Sequence, residues 1–227
     1  MTRRCLLWLP AVVAGILFLA GPSARAADIV YEYKIEHPRY GNIGTYKNVM
    51  KSSGDKVEVD SELHVAVKVL GIVVHREDAK RTEQWQGDRL VRFDGVTDTN
   101  GTRAEVHGEA RDDGFVLSTP TGTFTASANV HPSNPWSAMV LDTDTMMGAK
   151  SGRVEKVSVS GGRVEPVKFD GMDLRLKRYD ITGTKHQTVW IDDKGVPVAF
   201  RTEEDGAAID FVLTRPPLGE AANHASN

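Results

Sequence analysis

The chain has a single cysteine in 227 residues, Cys5, and it sits at the head of an apolar run rather than in the body of the sequence. The remainder can form no disulfide and offers no thiolate as nucleophile or metal ligand. No cysteine follows the apolar run, so a lipid-attachment site is absent as well. Positive charge is not in excess: 28 Lys and Arg stand against 31 Asp and Glu, a net charge of −3. That balance argues against nucleic acid as a partner, because such binding rests on clustered positive charge. After residue 20 no apolar run is long enough for a membrane span. The longest, Val65 to Val74, is broken by Lys68 and Gly71. Metal-ligand spacing is missing among the seven histidines, as are Gly-x-Ser-x-Gly and phosphate-binding glycine loops. Ser53-Gly54-Asp55-Lys56 fits Ser-x-x-Lys only formally, since that motif works at a helix start and here it spans a hairpin turn. Neither a metal nor a cofactor is expected.

What is present begins at the N-terminus. Arg3 and Arg4 precede an uncharged run from Leu6 to Ala20, and Ala24-Arg25-Ala26 places small residues at the −3 and −1 positions of a signal-peptidase site. This is the layout of a secretory signal peptide over residues 1–26, or, if uncleaved, of a single anchor. Either form puts the rest of the chain outside the cytoplasm, in the periplasm or secreted. Thr2-Arg3-Arg4 also loosely fits a twin-arginine signal, but the strongly apolar core favours the ordinary unfolded-export route. Residues 27–215 then read as one domain and 216–227 as a tail with little to bury.

The domain reads as all-β. In Val57 to Val69 the odd positions are apolar except Ser61, and the even ones polar except Ala66. A period of two sets one face against a core. Similar stripes recur at Ala104, Val106, Gly108 and Ala110; at Phe124, Ala126, Ala128 and Val130; at Leu174 and Leu176; and at Ile209, Phe211 and Leu213. Eight turn signals punctuate them, at Gly54, Gly87, Asn100-Gly101, Asp113-Gly114, Gly161-Gly162, Asp170-Gly171, Gly195 and Gly206. The pattern predicts a long antiparallel meander curled into an open or half-closed barrel. A parity change at Gly71 marks a bulge or sharp bend, and another near Lys177-Arg178 a second bulge.

One segment, 131–150, does not alternate. Pro135 opens a short helix over Trp136 to Leu141, and Met146-Met147 adds apolar mass. A connection this long within one domain is either a lid or a helix that merely covers the sheet. The small residues Ala104, Gly108, Ala110, Ala126 and Ala128 leave room for a ligand or for that helix. The candidate pocket is lined by Trp136, Met139, Val140, Met146 and Met147 from the segment, with Trp85, Trp190, Phe93 and Phe124 as flat apolar walls. The one plausible catalytic grouping is His131 with Asp142 or Asp144, a histidine oriented by a carboxylate. His64 and His107 fall on polar stripes and face solvent, and Asp192-Asp193 and Asp112-Asp113 are turn formers.

Trp190-Ile191-Asp192-Asp193-Lys194-Gly195-Val196-Pro197 forms a Trp-x-Asp-x-x-Gly-x-Pro hairpin. With Tyr31-Glu32-Tyr33, Gly41-Asn42-Ile43-Gly44, Glu83 to Leu90 and Pro135-Trp136, it resembles an uncharacterised exported bacterial β-protein family, a domain of unknown function. The layout is more remotely similar to the lipoprotein-carrier half barrel, whose likeness implies hydrophobic-ligand handling. The resemblance brings no catalytic residues. Three function classes stay open. The first is a non-enzymatic binder of an apolar or amphipathic small molecule or lipid. The second is an envelope hydrolase or isomerase, and the third a structural protein with an envelope protein partner.

Overall fold

A computed structural model describes residues 27–169, 171–183, 186–204 and 206–214; the signal-peptide and tail readings, and Asp170 and Asp205 of the turn pairs, lie outside them. Thirteen strands form one antiparallel sheet in which almost every neighbour in space is the neighbour in sequence. They are β1 (Ile29–His37), β2 (Gly41–Ser53), β3 (Lys56–Val69), β4 (Ile72–Gln86), β5 (Arg89–Thr99), β6 (Thr102–Arg111), β7 (Gly114–Thr119) and β8 (Gly122–Ala126). A second run follows the irregular segment: β12 (Ser158–Phe169), β13 (Met172–Thr182), β14 (Gln187–Ile191), β15 (Pro197–Glu204) and β16 (Ala207–Leu213). The one non-sequential contact joins the two runs. β1 pairs with β16, Ile35 opposite Phe211, so the sheet runs from β12 to β8 with an open seam between these end strands.

Period-two alternation builds this sheet as the sequence implies. Tyr31, Tyr33 and Ile35 of β1 are buried, and so are Val59, Ser61 and Leu63 of β3. On the inner face Phe200 and Phe211 stack at 4.3 Å, and Tyr33 and Tyr46 meet Phe200 edge-on. This aromatic cluster fastens β15, β16, β1 and β2 where the two runs meet.

Four local expectations change. Gly161-Gly162 is no turn: it sits inside β12, where the register shifts between Gly161 and Arg163. The bulge expected near Lys177-Arg178 does lie there but on the partner strand: Gly161 pairs with Tyr179 and Arg163 with Arg178, so Gly162 of β12 is the extra residue, and β13 pairs with β14 without a shift. Leu174 and Leu176 point to the outer face, packing with Phe169 around Trp190, while Tyr179 and Ile181 point inward. The face changes because the end of the β12–β13 hairpin covers the outside of the sheet. β8 stops at Ala126 and leaves Ala128 exposed in a turn. A further turn, between β7 and β8, falls at Pro120-Thr121, where no glycine pair announced it.

The irregular segment is not a six-residue helix. It holds β9 (His131–Pro132), a four-residue 3-10 turn (Ala138–Leu141) capped by the Ser137 side chain, and β10 (Thr145–Met147). With β11 (Val154–Lys156) these strands make a second, three-stranded sheet. The backbone bonds of the turn span three residues, Val140 N–H to the Ser137 carbonyl and Asp142 N–H to the Met139 carbonyl, so the stretch closes as a single 3-10 turn and not as an α-helix. In sequence the segment joins the two end strands, and in space it fills the inner face. Val130, Trp136, Val140, Leu141, Met146, Met147 and Ala149 all belong to the main core.

The small residues are mostly spoken for. A Cβ on Gly108 would lie 2.2 Å from the Phe115 ring, so the ring occupies the space the glycine leaves. Gly108→Ala is therefore expected to destabilise by overpacking, by about 1–3 kcal/mol. Urea denaturation followed by fluorescence measures this, and an unchanged midpoint would mean the Phe115 ring moves freely aside.

Candidate functional site

Three adjacent strands place a row of polar side chains on the inner face, and a glycine of the fourth continues the row. Asn48 of β2 pairs with Ser61 of β3, Ser61 with Arg81 of β4, and Arg81 with Gly95 of β5. Two residues along β4, and so on the same face, comes Glu83, which is fully buried. Ala79 and Trp85 flank this Arg-Glu pair with the same parity, and both are buried apolar groups.

Glu83 holds the segment to the sheet. Its Oε1 accepts a hydrogen bond from Asn134 Nδ2 at 2.8 Å, and its Oε2 accepts from the indole N–H of both Trp85 and Trp136 at 3.0 Å. Asn134 and Trp136 come from the segment and Trp85 from the sheet. The two indoles meet edge to face at 5.7 Å. Asn134 also accepts from Tyr46 Oη at 2.5 Å and donates to Ser61 Oγ at 3.1 Å; Ser61 in turn donates to Asn48 at 2.7 Å. Two buried atoms at the rim of this network, Asn48 Nδ2 and Arg81 Nε, have no hydrogen-bond partner.

Burial governs the acid-base behaviour. It pushes the Glu83 carboxyl up from its usual 4.5 to about 7, against the bonds from Asn134, Trp85 and Trp136 and the charge of Arg81, all of which favour the carboxylate. Burial likewise pushes Tyr46 up to about 12, opposed by Arg81. Glu83 is thus a carboxyl near its midpoint at neutral pH, with the bonds from Asn134, Trp85 and Trp136 all directed at its ionised form.

The sequence-derived candidates separate into groups. Trp136, Val140, Met146 and Met147 are buried in the main core with Trp85 and Phe93, and Met139 packs against them partly buried. Trp190 does not join them. It lies in the outer cluster, bonded to Glu165 and covered by the Arg201 guanidinium. Phe124 is also elsewhere, 38% exposed on an open groove with Thr121, Ser151, Arg153 and Val154. That groove, of about 490 Å³, includes neither Trp136 nor Glu83.

The His131 grouping is not assembled. His131 is buried, with Nδ1 3.2 Å from the Val140 carbonyl oxygen and its ring against Trp85. Asp144 instead accepts from Asn129 and Thr145. His64 and His107 are exposed and paired with Asp78 and Asp94. Asp192 accepts from the Lys194 and Val196 amides, as a turn former does. Among the described residues no group of three His, Cys, Asp or Glu is placed to hold a metal ion.

Sequence reading missed Asn48, Arg81, Glu83 and Asn134. The signal was there in part: Ser61 is the one polar exception on its stripe, and Arg81 and Glu83 lie between Ala79 and Trp85 at core parity.

Glu83 gives stability a defined pH dependence. Its folded pKa lies above the unfolded value, so the folded state holds the proton between pH 4.5 and about 7 while the unfolded state has lost it. Stability contributed by this group falls as pH rises through that window, by about 3 kcal/mol for a shift of this size, and is level on either side. Glu83→Gln removes this component. Urea midpoints of both proteins from pH 4 to 8 test it, and parallel pH profiles would refute the assignment.

Comparison with known proteins agrees with this architecture and adds no activity. One family, described as Domain of unknown function (DUF6134), matches residues 38–214. The chain belongs to it. No curated protein matches. Among solved structures, a β-barrel-like protein of domain of unknown function DUF1849 from Brucella abortus is similar in fold, with a TM-score of 0.62 and 11% identity. The likeness covers 84% of this chain and 97% of that one.

Proposed function

We propose that this DUF6134 member is an exported, periplasmic, non-enzymatic protein that takes up an apolar or amphipathic, lipid-like molecule against the inner face of its sheet. The segment from Val130 to Lys156 is the gate. In the closed form described above it occupies the binding face itself, so uptake requires it to lift. Its apolar residues Trp136, Met139, Val140, Met146 and Met147 form one wall of the opened site, and Trp85 and Phe93 the other. Methionine side chains adapt to irregular apolar shapes, which suits a ligand of loose specificity.

The observation that carries this reading is the latch at Glu83. A segment meant only to fill a core is best held by apolar packing, because a buried carboxyl carries a desolvation cost that hydrogen bonds only partly offset. Here Asn134 and Trp136, both from the segment, converge on one carboxyl of the sheet. Breaking four bonds, those of Asn134 to Glu83, Tyr46 and Ser61 and that of Trp136 to Glu83, frees the segment's centre. The polar groups left behind on the sheet, Glu83, Ser61 and Arg81, would meet the polar end of an amphipathic ligand. The hydrolase or isomerase alternative loses its support, since His131 faces Val140 and Trp85 rather than a carboxylate.

Two measurements test the gate. Native mass spectrometry of protein recovered from cells, with organic extraction, should find a co-purified lipid-like molecule. Trp136→Ala removes one latch bond and a buried indole, and should cost about 3–5 kcal/mol. Asn134→Ala, which removes latch bonds and leaves the apolar wall intact, should raise the affinity for the apolar dye N-phenyl-1-naphthylamine, because the closed form competes with the ligand. No extracted molecule, together with unchanged dye binding in the Asn134→Ala variant, would leave the segment a permanent core element.

A further inference from the structure

The most exposed apolar residues lie far from the latch, at the turn between β3 and β4. Leu70 is 98% exposed and Ile72 69%, and Val69, Val73 and Val74 are each 40% exposed or more. The register shows why. β2 pairs with β3 only up to Gly44 opposite Val65, and β4 pairs with β5 only up to Glu77 opposite Thr99. Beyond those points the two strands pair only with each other, Ala66 opposite Arg76 through Val69 opposite Ile72. The base of this hairpin stays attached, since Val67 packs against the main core and Arg76 bonds with Asn100. The hairpin stands clear from Lys68 to Val74, roughly 7 Å at strand spacing.

The residue at the turn is costly twice over. Leu70 and Gly71 both have positive φ, 51° and 79°, the two-residue turn that suits a twisted hairpin. The neighbouring β5–β6 hairpin makes the same kind of turn with Asn100 and Gly101, at φ 53° and 84°. Asparagine tolerates that backbone region, whereas a bulky side chain there is strained. Leucine at this position strains the backbone and leaves its whole side chain in water. Folding alone explains neither, and burial of the tip in an apolar medium explains both.

We infer that the β3–β4 tip is a docking prong for an anionic lipid bilayer. The backbone groups that face each other are paired within the hairpin as far as Val69 and Ile72. Those on its two free edges keep water or headgroup partners, so the tip enters the interfacial layer and not the hydrocarbon centre. From Ala66 to His75 there is no acid, and Lys68 is exposed beside the tip. Arg76, at the base, is held by Asp78. In an antiparallel meander alternate turns share an end, which puts the β1–β2 turn at the prong's end. There Tyr40 is 38% exposed with the Arg39 guanidinium 5.5 Å from its ring, an arrangement suited to the headgroup layer.

Other occupants fit less well. A protein interface uses about 20–30 residues a side, whereas the prong offers five apolar ones. Pairing with a second copy along the free strand edges meets a bulge, since Val74 is the extra residue between Lys68–Val73 and Val67–His75. A bulge and an edge lysine are the usual guards against such pairing. This inference does not depend on the gate, and its test does not read the interior.

Protein expressed as the full chain and recovered from the aqueous fraction should co-float with vesicles of phosphatidylethanolamine and phosphatidylglycerol in equal parts, and less with phosphatidylcholine alone. Leu70→Asn with Ile72→Thr should weaken that binding at least about tenfold, with thermal stability unchanged or higher. The second measurement places a nitrobenzoxadiazole label at Leu70→Cys in a Cys5→Ser background. Its emission should shift to the blue on the mixed vesicles, while a label at Asp193→Cys, at the opposite end of the sheet, should not. Equal binding by the double variant, or no shift at position 70, would overturn the inference. So would a Leu70-dependent dimer that ignores vesicles.

Discussion

The carboxyl of Glu83 is the contact on which the interior is organised. An open antiparallel sheet of thirteen strands has an inner face to cover, and the chain covers it with the stretch that links its two end strands. That stretch has little regular structure of its own: one 3-10 turn and three strands of two or three residues. It is positioned by what it touches, and its central touch is polar. Asn134 and Trp136 reach Glu83 from one side, and Trp85 reaches it from the other. A carboxyl with two acceptor oxygens can bring three donors to one point, which no apolar side chain can do. The direction of those donors fixes the register of the segment against the sheet, and the apolar residues around them supply most of the burial energy.

The same contact makes the interior conditional. Burial raises the Glu83 pKa to about 7 against the pull of its donors and Arg81, so its protonated and ionised forms are close to equal at neutral pH. An apolar substitute of similar volume would remove that sensitivity along with the three-donor junction. Asn48 Nδ2 and Arg81 Nε, both without partners, border the network. Buried polar groups left unpaired are costly, and here they cluster where the proposed ligand would meet the sheet. The polar row is thus least satisfied at the place where the gate reading needs polar groups to be available.

Much of the fold was legible because strand alternation and turn chemistry are local. Tyr31, Tyr33 and Ile35, or Val59, Ser61 and Leu63, announce their face by spacing alone. Most of the turns marked by glycine or asparagine fell where the residues placed them. But Gly161-Gly162 serves as a bulge inside β12, Gly71 closes the β3–β4 hairpin where a bulge or bend was read, and the turns before Gly41 and Gly122 were not marked. What stayed hidden depends on neighbours distant in sequence. Nothing near Leu174 tells that the hairpin end folds over Trp190 on the outer face, so the change of apolar face read as a bulge within β13 itself. The pairing of β1 with β16 joins residues over 170 positions apart. The site was half legible: Trp136, Trp85 and the methionines could be chosen as large apolar groups, whereas Trp190 and Phe124 were grouped with them only because they are aromatic. Glu83 looked like one more charged residue in a charged strand, since a parity argument discounts the polar member of an apolar stripe.

Two residues in this chain break local rules at a cost, Glu83 in the interior and Leu70 at the tip, and both lie on one hairpin. Strand β4 runs from Ile72 at the prong to Trp85 beside the latch. From Glu77 to Gln86 it is paired on both sides, to β3 and to β5, so tilting the free tip strains the six doubly paired residues from Glu77 to Thr82 before it reaches Glu83. A sheet that stiff does not carry small displacements over such a distance, because coupling needs an element with two arrangements. The proposed gate assigns two arrangements to the segment, which is joined to the sheet mainly through side chains, and none to the central part of β4. Docking at the tip therefore orients the molecule and leaves the latch unstrained. What opens the gate must act on the segment itself or on the protonation of the carboxyl that holds it.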